Sequence, residues 1–123
     1  MTDVPGGADL RDLQARAMAV RELYAHVEAE RHGRTWTVEE TMLGFVGDVG
    51  DLAKLVQGKA GVRPRPDLDD ALAHELADCL WSLLVLADAY DVDLPAAFAR
   101  TMDELTAHLG TPAGPPSGGA AVD

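Results

Sequence analysis

Cysteine, aromatic residues and positive charge are all scarce in this chain, and each shortage removes a class of function. The lone Cys79 excludes an internal disulfide and any zinc site built on cysteines, and a reducing cytoplasm is the simplest setting for it. Against 21 Asp and Glu there are 10 Lys and Arg, a formal net charge of −11. Nucleic acids and anionic membrane surfaces are bound by neutralising their phosphates, so neither is expected as a partner. A small anionic substrate would need a cation to accompany it. Aromatic residues make up only 5% of the chain, and the alternation with β-branched residues that marks strands is missing. No apolar run approaches the length that spans a bilayer. The opening from Met1 to Gly7 lacks the charged and apolar stretches of a signal peptide. The expectation is a soluble, cytoplasmic protein.

What is present points to helices. Hydrophobic residues reach 47%, with Ala and Leu prominent, which favours an all-α domain. At 123 residues there is room for one core, small enough that self-association would help stabilise it. Residues 1–8 and the Gly/Pro/Ala-rich tail 111–123 bury too little to offset their ordering entropy and are expected to be disordered, leaving a helical domain over 9–110. Helices are predicted at about 9–31, 37–58, 69–90 and 94–109. In the first, Leu10, Leu13, Ala17, Val20, Tyr24 and Val27 recur at helical spacing, and His32-Gly33 stops it. Thr37 with Glu40 reads as a capping box opening the second, with Trp36 as its hydrophobic staple. Asp67 or Asp69 caps the third, and Leu94-Pro95 opens the fourth. The third helix is apolar nearly all round from Cys79 to Ala89, so it is expected to lie between subunits of a homodimer or larger assembly.

The chemistry is carried by acids. Asp48 and Asp51 stand three apart in the second helix, and Glu75 and Asp78 three apart in the third. Three residues turn through roughly 300° of an α-helix, so each pair shares a face. If the two helices run antiparallel, four carboxylates converge. Like charges held that close take up protons or recruit a cation, and Mg²⁺ or Mn²⁺ prefers oxygen ligands together with water and phosphate. The alternative reading is a pair of solvated acidic faces, the ordinary fate of Asp and Glu. Two features speak against it: the apolar neighbours Phe45, Val46, Val49, Leu52, Leu76, Leu80 and Trp81, and the short loop joining the two helices. Gly44, Gly47 and Gly50, each unfavourable within a helix, would let a neighbouring helix or a ligand approach the backbone.

Together these residues carry a resemblance. The run Gly47-Asp48-Val49-Gly50-Asp51-Leu52-Ala53, followed by His74-Glu75-Leu76-Ala77-Asp78-Cys79-Leu80-Trp81 and by the stretch Leu86 to Leu94, resembles the MazG-like nucleoside triphosphate pyrophosphohydrolases over about residues 36–109. The resemblance implies a four-helix-bundle-like fold and assembly as a dimer or larger. It also implies Mg²⁺-dependent cleavage of an NTP or dNTP to the monophosphate and pyrophosphate, as in the removal of unwanted triphosphates. The family's Glu-x-x-Glu and Glu-x-x-Asp signature falls on Asp48, Asp51, Glu75 and Asp78, which would be metal ligands. One left uncoordinated would accept the proton of the attacking water. The first pair is aspartate here, shortening each arm by one methylene. That keeps open a second reading, a catalytically weakened helical dimer acting as a nucleotide-binding or regulatory module. A plain helical interaction domain is a third. The lysine and asparagine that the resemblance implies on the last helix have no clear equivalents in Arg100-Thr101-Met102-Asp103-Glu104-Leu105, where Arg100 is the candidate to supply the lysine's charge.

Other candidates have ordinary roles beside their functional ones. Lys54 shares the face of Asp51, where it would form an ion pair or reach a phosphate. Lys59, Arg63 and Arg65 lie on the following loop, solvated or closing over a triphosphate. Trp36 and Trp81 read as staple and core residues, with stacking on a base and walling its pocket as their functional alternatives. His74 is placed to pair with Asp70 or Asp78. Cys79 reads as a buried, inert thiol.

Overall fold

The computed structural model describes residues 9–110, with four α-helices and no strand among them. They are α1 (Leu10–His32), α2 (Val38–Lys59), α3 (Leu68–Ala89) and α4 (Leu94–Leu109). The all-α class holds, and every helix end falls within about a residue of its sequence expectation. The expected disorder of 1–8 and 111–123 concerns residues outside those described.

The boundaries have local causes. The Asp9 side chain accepts from the Asp12 N–H at 2.9 Å, and α1 ends at Gly33, whose φ of 72° is left-handed backbone that glycine adopts without a Cβ penalty. At α2 the capping box is complete: Thr37 Oγ1 accepts from the Glu40 N–H at 3.1 Å, and Glu40 Oε1 from the Thr37 N–H at 2.9 Å. Arg34 reaches both Glu40 oxygens at 2.7 Å, and these bonds hold the Glu40 carboxyl below the usual carboxylate range. Asp67 occupies the N-cap position of α3 without making a side-chain cap bond, because Arg65 holds its carboxylate at 2.7 and 2.9 Å. Asp93 caps α4 through the Ala96 N–H at 3.1 Å, with Pro95 in the first turn.

The chain divides into two compact units, Met1–Val92 and Asp93–Asp123. In the first, α2 and α3 make the most extensive helix pair and α3 also packs on α1. The pairing of α2 with α3 is antiparallel: the backbone at Gly58 meets Leu68, Asp51 comes beside Glu75, and Thr41 shares a cavity with Val85. Gly58 is where close approach demands glycine. A Cβ there would stand 2.7 Å from the Arg63 carbonyl and 2.8 Å from Leu68 Cδ1. Among the described residues a Cβ at Gly47 or Gly50 would meet nothing within 4 Å, and one at Gly44 only the Trp36 ring at 3.5 Å. Within the chain, the close helix approach is made at Gly58, and the backbone at Gly47 and Gly50 stays open.

Among the described residues few are buried: Ala17, Leu55, Cys79, Leu84, Val85 and Ala87, with Thr41, Gly58 and Ser82. The inward face of α1 also differs from its expected stripe. Leu10 and Leu13 are half-buried and Ala17 buried as expected, but Val20 and Val27 are exposed, and Ala17, Arg21, Tyr24 and Glu28, at spacings of four, three and four, carry the hydrogen bonds and cavity wall toward α3 and Trp36. The apolar neighbours of the acids are in part an open face, with Val46, Val49, Leu76, Leu80 and Leu83 exposed. In the second unit α4 buries no residue, and Phe98, Met102, Leu105 and Leu109 form an exposed stripe along it. Among the described residues no helix is long and apolar enough to cross a membrane.

Candidate functional site

Antiparallel pairing brings the acids of α2 and α3 together midway along both helices. Asp48, Asp51 and Glu75 each offer a carboxylate oxygen, and the three oxygens lie within 4.8 Å of one another. Asp78 stands outside that trio. Its Oδ2 is 3.1 Å from His74 Nε2, the intrahelical pairing expected of that histidine. Its charge still acts on the cluster: the Glu75 carboxyl is pushed above its ordinary range by burial first, then by Asp48, with Asp78 and Asp51 adding smaller repulsions. Glu75 Oε2 is a buried oxygen with no hydrogen-bond partner. While both acids are ionised, no proton lies between Glu75 and Asp48, and the contact becomes a hydrogen bond only when one of them is protonated. A cation relieves the same strain. Three hard oxygen donors converging around an orphaned carboxylate oxygen fit a divalent ion of the Mg²⁺ or Mn²⁺ type. Burial and the same acids raise the adjacent Cys79 thiol, which keeps it protonated and unreactive.

Beside the acids lies a cavity of about 300 Å³. Asp48 and Asp78 line it together with Tyr24, Trp36 and Trp81, and the small polar side chains of Thr41 and Ser82 reach it from α2 and α3. Trp81 is anchored by its indole Nε1–H, which donates to the Ala17 carbonyl at 3.1 Å, and it meets Tyr24 edge-on at a centroid distance of 5.5 Å and an interplanar angle of 64°. It is thus both a packing residue and a cavity wall. Trp36 stays 47% exposed, with its ring against Gly44 and the cavity. The residue at the staple position opposite it is the polar Thr41, so the cavity wall is its main contact.

The expected cations are differently placed. Among the described residues no ion pair joins Lys54 to Asp51, in place of the intrahelical pair anticipated there. Lys59 Nζ is 2.6 Å from Asp69 Oδ1, and Arg65 is held by Asp67. Arg63 lies on the exposed loop and Arg100 on α4. Sequence reasoning missed Arg21, Tyr24 and Glu28 as cavity residues. The available signal was the 17-21-24-28 stripe with two opposite charges seven residues apart, on one face of a helix that otherwise offers a plausible apolar stripe one residue away.

The four helices and the likeness to known proteins together place the chain in the MazG-like all-α family. It is 38% identical over 90 residues to dCTP pyrophosphatase 1 of Rattus norvegicus and of Homo sapiens, a match covering 68% of this chain and 53% of each relative. The chain thus spans about half the length of the curated relatives it matches. No protein-family model and no solved structure matches it.

Proposed function

We propose that the protein is a nucleoside triphosphate pyrophosphohydrolase, dependent on Mg²⁺ or Mn²⁺, that converts an NTP or dNTP and water into the monophosphate and pyrophosphate in a house-cleaning role. The carrying observation is the trio of converging carboxylates with its orphaned Glu75 oxygen, set beside an aromatic-walled cavity. Asp48, Asp51 and Glu75 would hold the ion, with Asp78 as the fourth acid of the motif. When bound, that ion supplies charge neutralisation of the phosphates and an acidified water.

The remaining work falls to the chain itself. A carboxylate of the cluster not engaged as a ligand accepts the proton of the water that attacks the α-phosphorus, while the bond to the β-phosphate bridging oxygen breaks and pyrophosphate leaves. Trp36, Trp81 and Tyr24 offer flat apolar walls to a base, and a cavity of about 300 Å³ is at the small end of ligand pockets. Lys54 and Arg63 are the cations we assign to the phosphate tail, with Lys59 released from Asp69 for the same purpose. We take 9–110 as the working domain. A homodimer or larger assembly is supported by the open faces of Met42, Val46, Val49 and Val56 on α2, at spacings of four, three and seven, and of Leu76, Leu80 and Leu83 on α3, at spacings of four and three. The setting is the cytoplasm, with neither nucleic acid nor membrane as partner.

The test is a panel of standard and damaged triphosphates, including the dCTP that names the relatives, assayed for pyrophosphate with Mn²⁺ supplied. Release from at least one member is expected. Silence across the panel, with stoichiometric Mn²⁺ binding retained, would leave the weakened nucleotide-binding or regulatory module as the better reading.

A further inference from the structure

We infer that Arg21 and Glu28 form a positioning pair that holds Trp36 against the cavity. The inference rests on the proposed activity for its functional consequence and on the structure alone for its mechanics. Trp36 lies in the short non-helical link between α1 and α2, where a backbone peptide would ordinarily be left to water. Here α1 engages it at both polar ends. Arg21 Nη2–H donates to the Trp36 carbonyl at 3.1 Å, and the Trp36 N–H donates to Glu28 Oε1 at 2.8 Å. The two side chains also face each other, with Arg21 Nη1 3.7 Å from Glu28 Oε1.

The placement of this pair is unlike that of Arg34 with Glu40, Lys59 with Asp69 or Arg65 with Asp67. Its side chains are 18% and 15% exposed, against 54% and 38% for Arg34 and Glu40 only a few residues away. Withdrawing a charge pair from water opposes stability unless its hydrogen bonds are well made, and an apolar pair of similar volume would pack α1 as well. An apolar pair could not grip a peptide group. Arg21 and Trp36 line the cavity beside the acids and also one of about 210 Å³, and Trp36 is 47% exposed, so little packing holds the ring otherwise. Trp81 has its own anchor on the same helix face, the Ala17 carbonyl. One face of α1 therefore sets both indole rings, Trp81 directly through its N–H and Trp36 through its backbone. Arg21 and Glu28 act through Trp36 and have no assigned contact with the reacting phosphates.

The chain has two tryptophans, so in a Trp81→Phe background the emission of Trp36 is isolated. In the metal-free protein, Glu28→Ala and Arg21→Met are expected to raise acrylamide quenching of Trp36 about threefold by freeing the link, whereas Glu28→Gln keeps an oxygen for the Trp36 N–H and restores most of the protection. With Trp81 present and a triphosphate that the intact protein hydrolyses, the first two variants should raise KM about tenfold and change kcat less than about twofold, with Mn²⁺ binding unaltered. A merely structural role would instead lower helicity and Mn²⁺ binding together, without rescue by Glu28→Gln. Unchanged quenching overturns the pairing, and a parallel fall in kcat with KM unmoved overturns its positioning role. If the intact protein hydrolyses no triphosphate, the proposed activity fails while the quenching measurement still decides the pairing.

Discussion

The two ends of the candidate site, the acid trio and the aromatic walls of the adjacent cavity, are built on opposite principles. At one end, Asp48, Asp51 and Glu75 are gathered by residues three apart on two neighbouring helices, and they stay electrostatically frustrated, with an orphaned oxygen and a raised carboxyl pKa. At the other, Tyr24, Trp36 and Trp81 come from three separate segments, and the polar groups that position the two indoles have partners. The acidic end stores repulsion that a cation would relieve. The aromatic end is already complete, a surface ready for a flat apolar group.

Glu75→Gln breaks that contrast hardest. It should lower turnover by at least about a hundredfold and abolish stoichiometric Mn²⁺ binding in calorimetry. Intact turnover in this variant would remove Glu75 from the centre.

The pH dependence comes next. Because the folded state raises the Glu75 pKa, the folded protein keeps that proton over a window in which the unfolded chain has lost it. Metal-free stability should therefore fall as pH climbs from the ordinary carboxylate range through the folded value, and level off above it. Saturating Mn²⁺ should abolish or reverse the slope, since metal binding requires the deprotonated acid. Thermal melts across pH with and without Mn²⁺ read both effects, and identical slopes would show the cluster to be uncoupled from a cation.

Trp36→Ala sharpens the other side. Stacking of a base on an aromatic ring is worth about 1–3 kcal/mol, so the triphosphate KM should rise about five- to 150-fold while Mn²⁺ affinity stays put. Loss of Mn²⁺ binding in this variant would mean that the two ends are not separable. The smallest effect belongs to neither end: Thr37→Ala removes a helix cap and should lower stability by about 1 kcal/mol in denaturant melts, with KM moving only as far as the link around Trp36 loosens.

Much of this was legible from local pattern. Capping residues, the Gly33 stop and Pro95 mark helix ends because backbone hydrogen bonding at a terminus is settled within a few residues. The Asp48/Asp51 and Glu75/Asp78 pairs were visible because three-residue spacing fixes a shared face whatever surrounds it. The departures lie where distant groups compete. Asp69 engages Lys59, Lys54 makes no ion pair with Asp51 among the described residues, and the close helix approach falls at Gly58. In α1 the expected stripe holds at Leu13, Ala17 and Tyr24 but fails at Val20 and Val27, one residue, about 100° of helix, from the Arg21 and Glu28 that turn inward, a choice apolar content alone could not make.

By itself, then, the sequence determined four helices, their ends and two acidic faces, because each depends on bonds and angles within a few residues of chain. Only the tertiary structure decided which three acids share one point, which helix face turns inward, and that a charged pair on α1 grips the peptide of Trp36. Those outcomes depend on how separate helices rotate against one another, and that rotation is set by the summed packing of all of them.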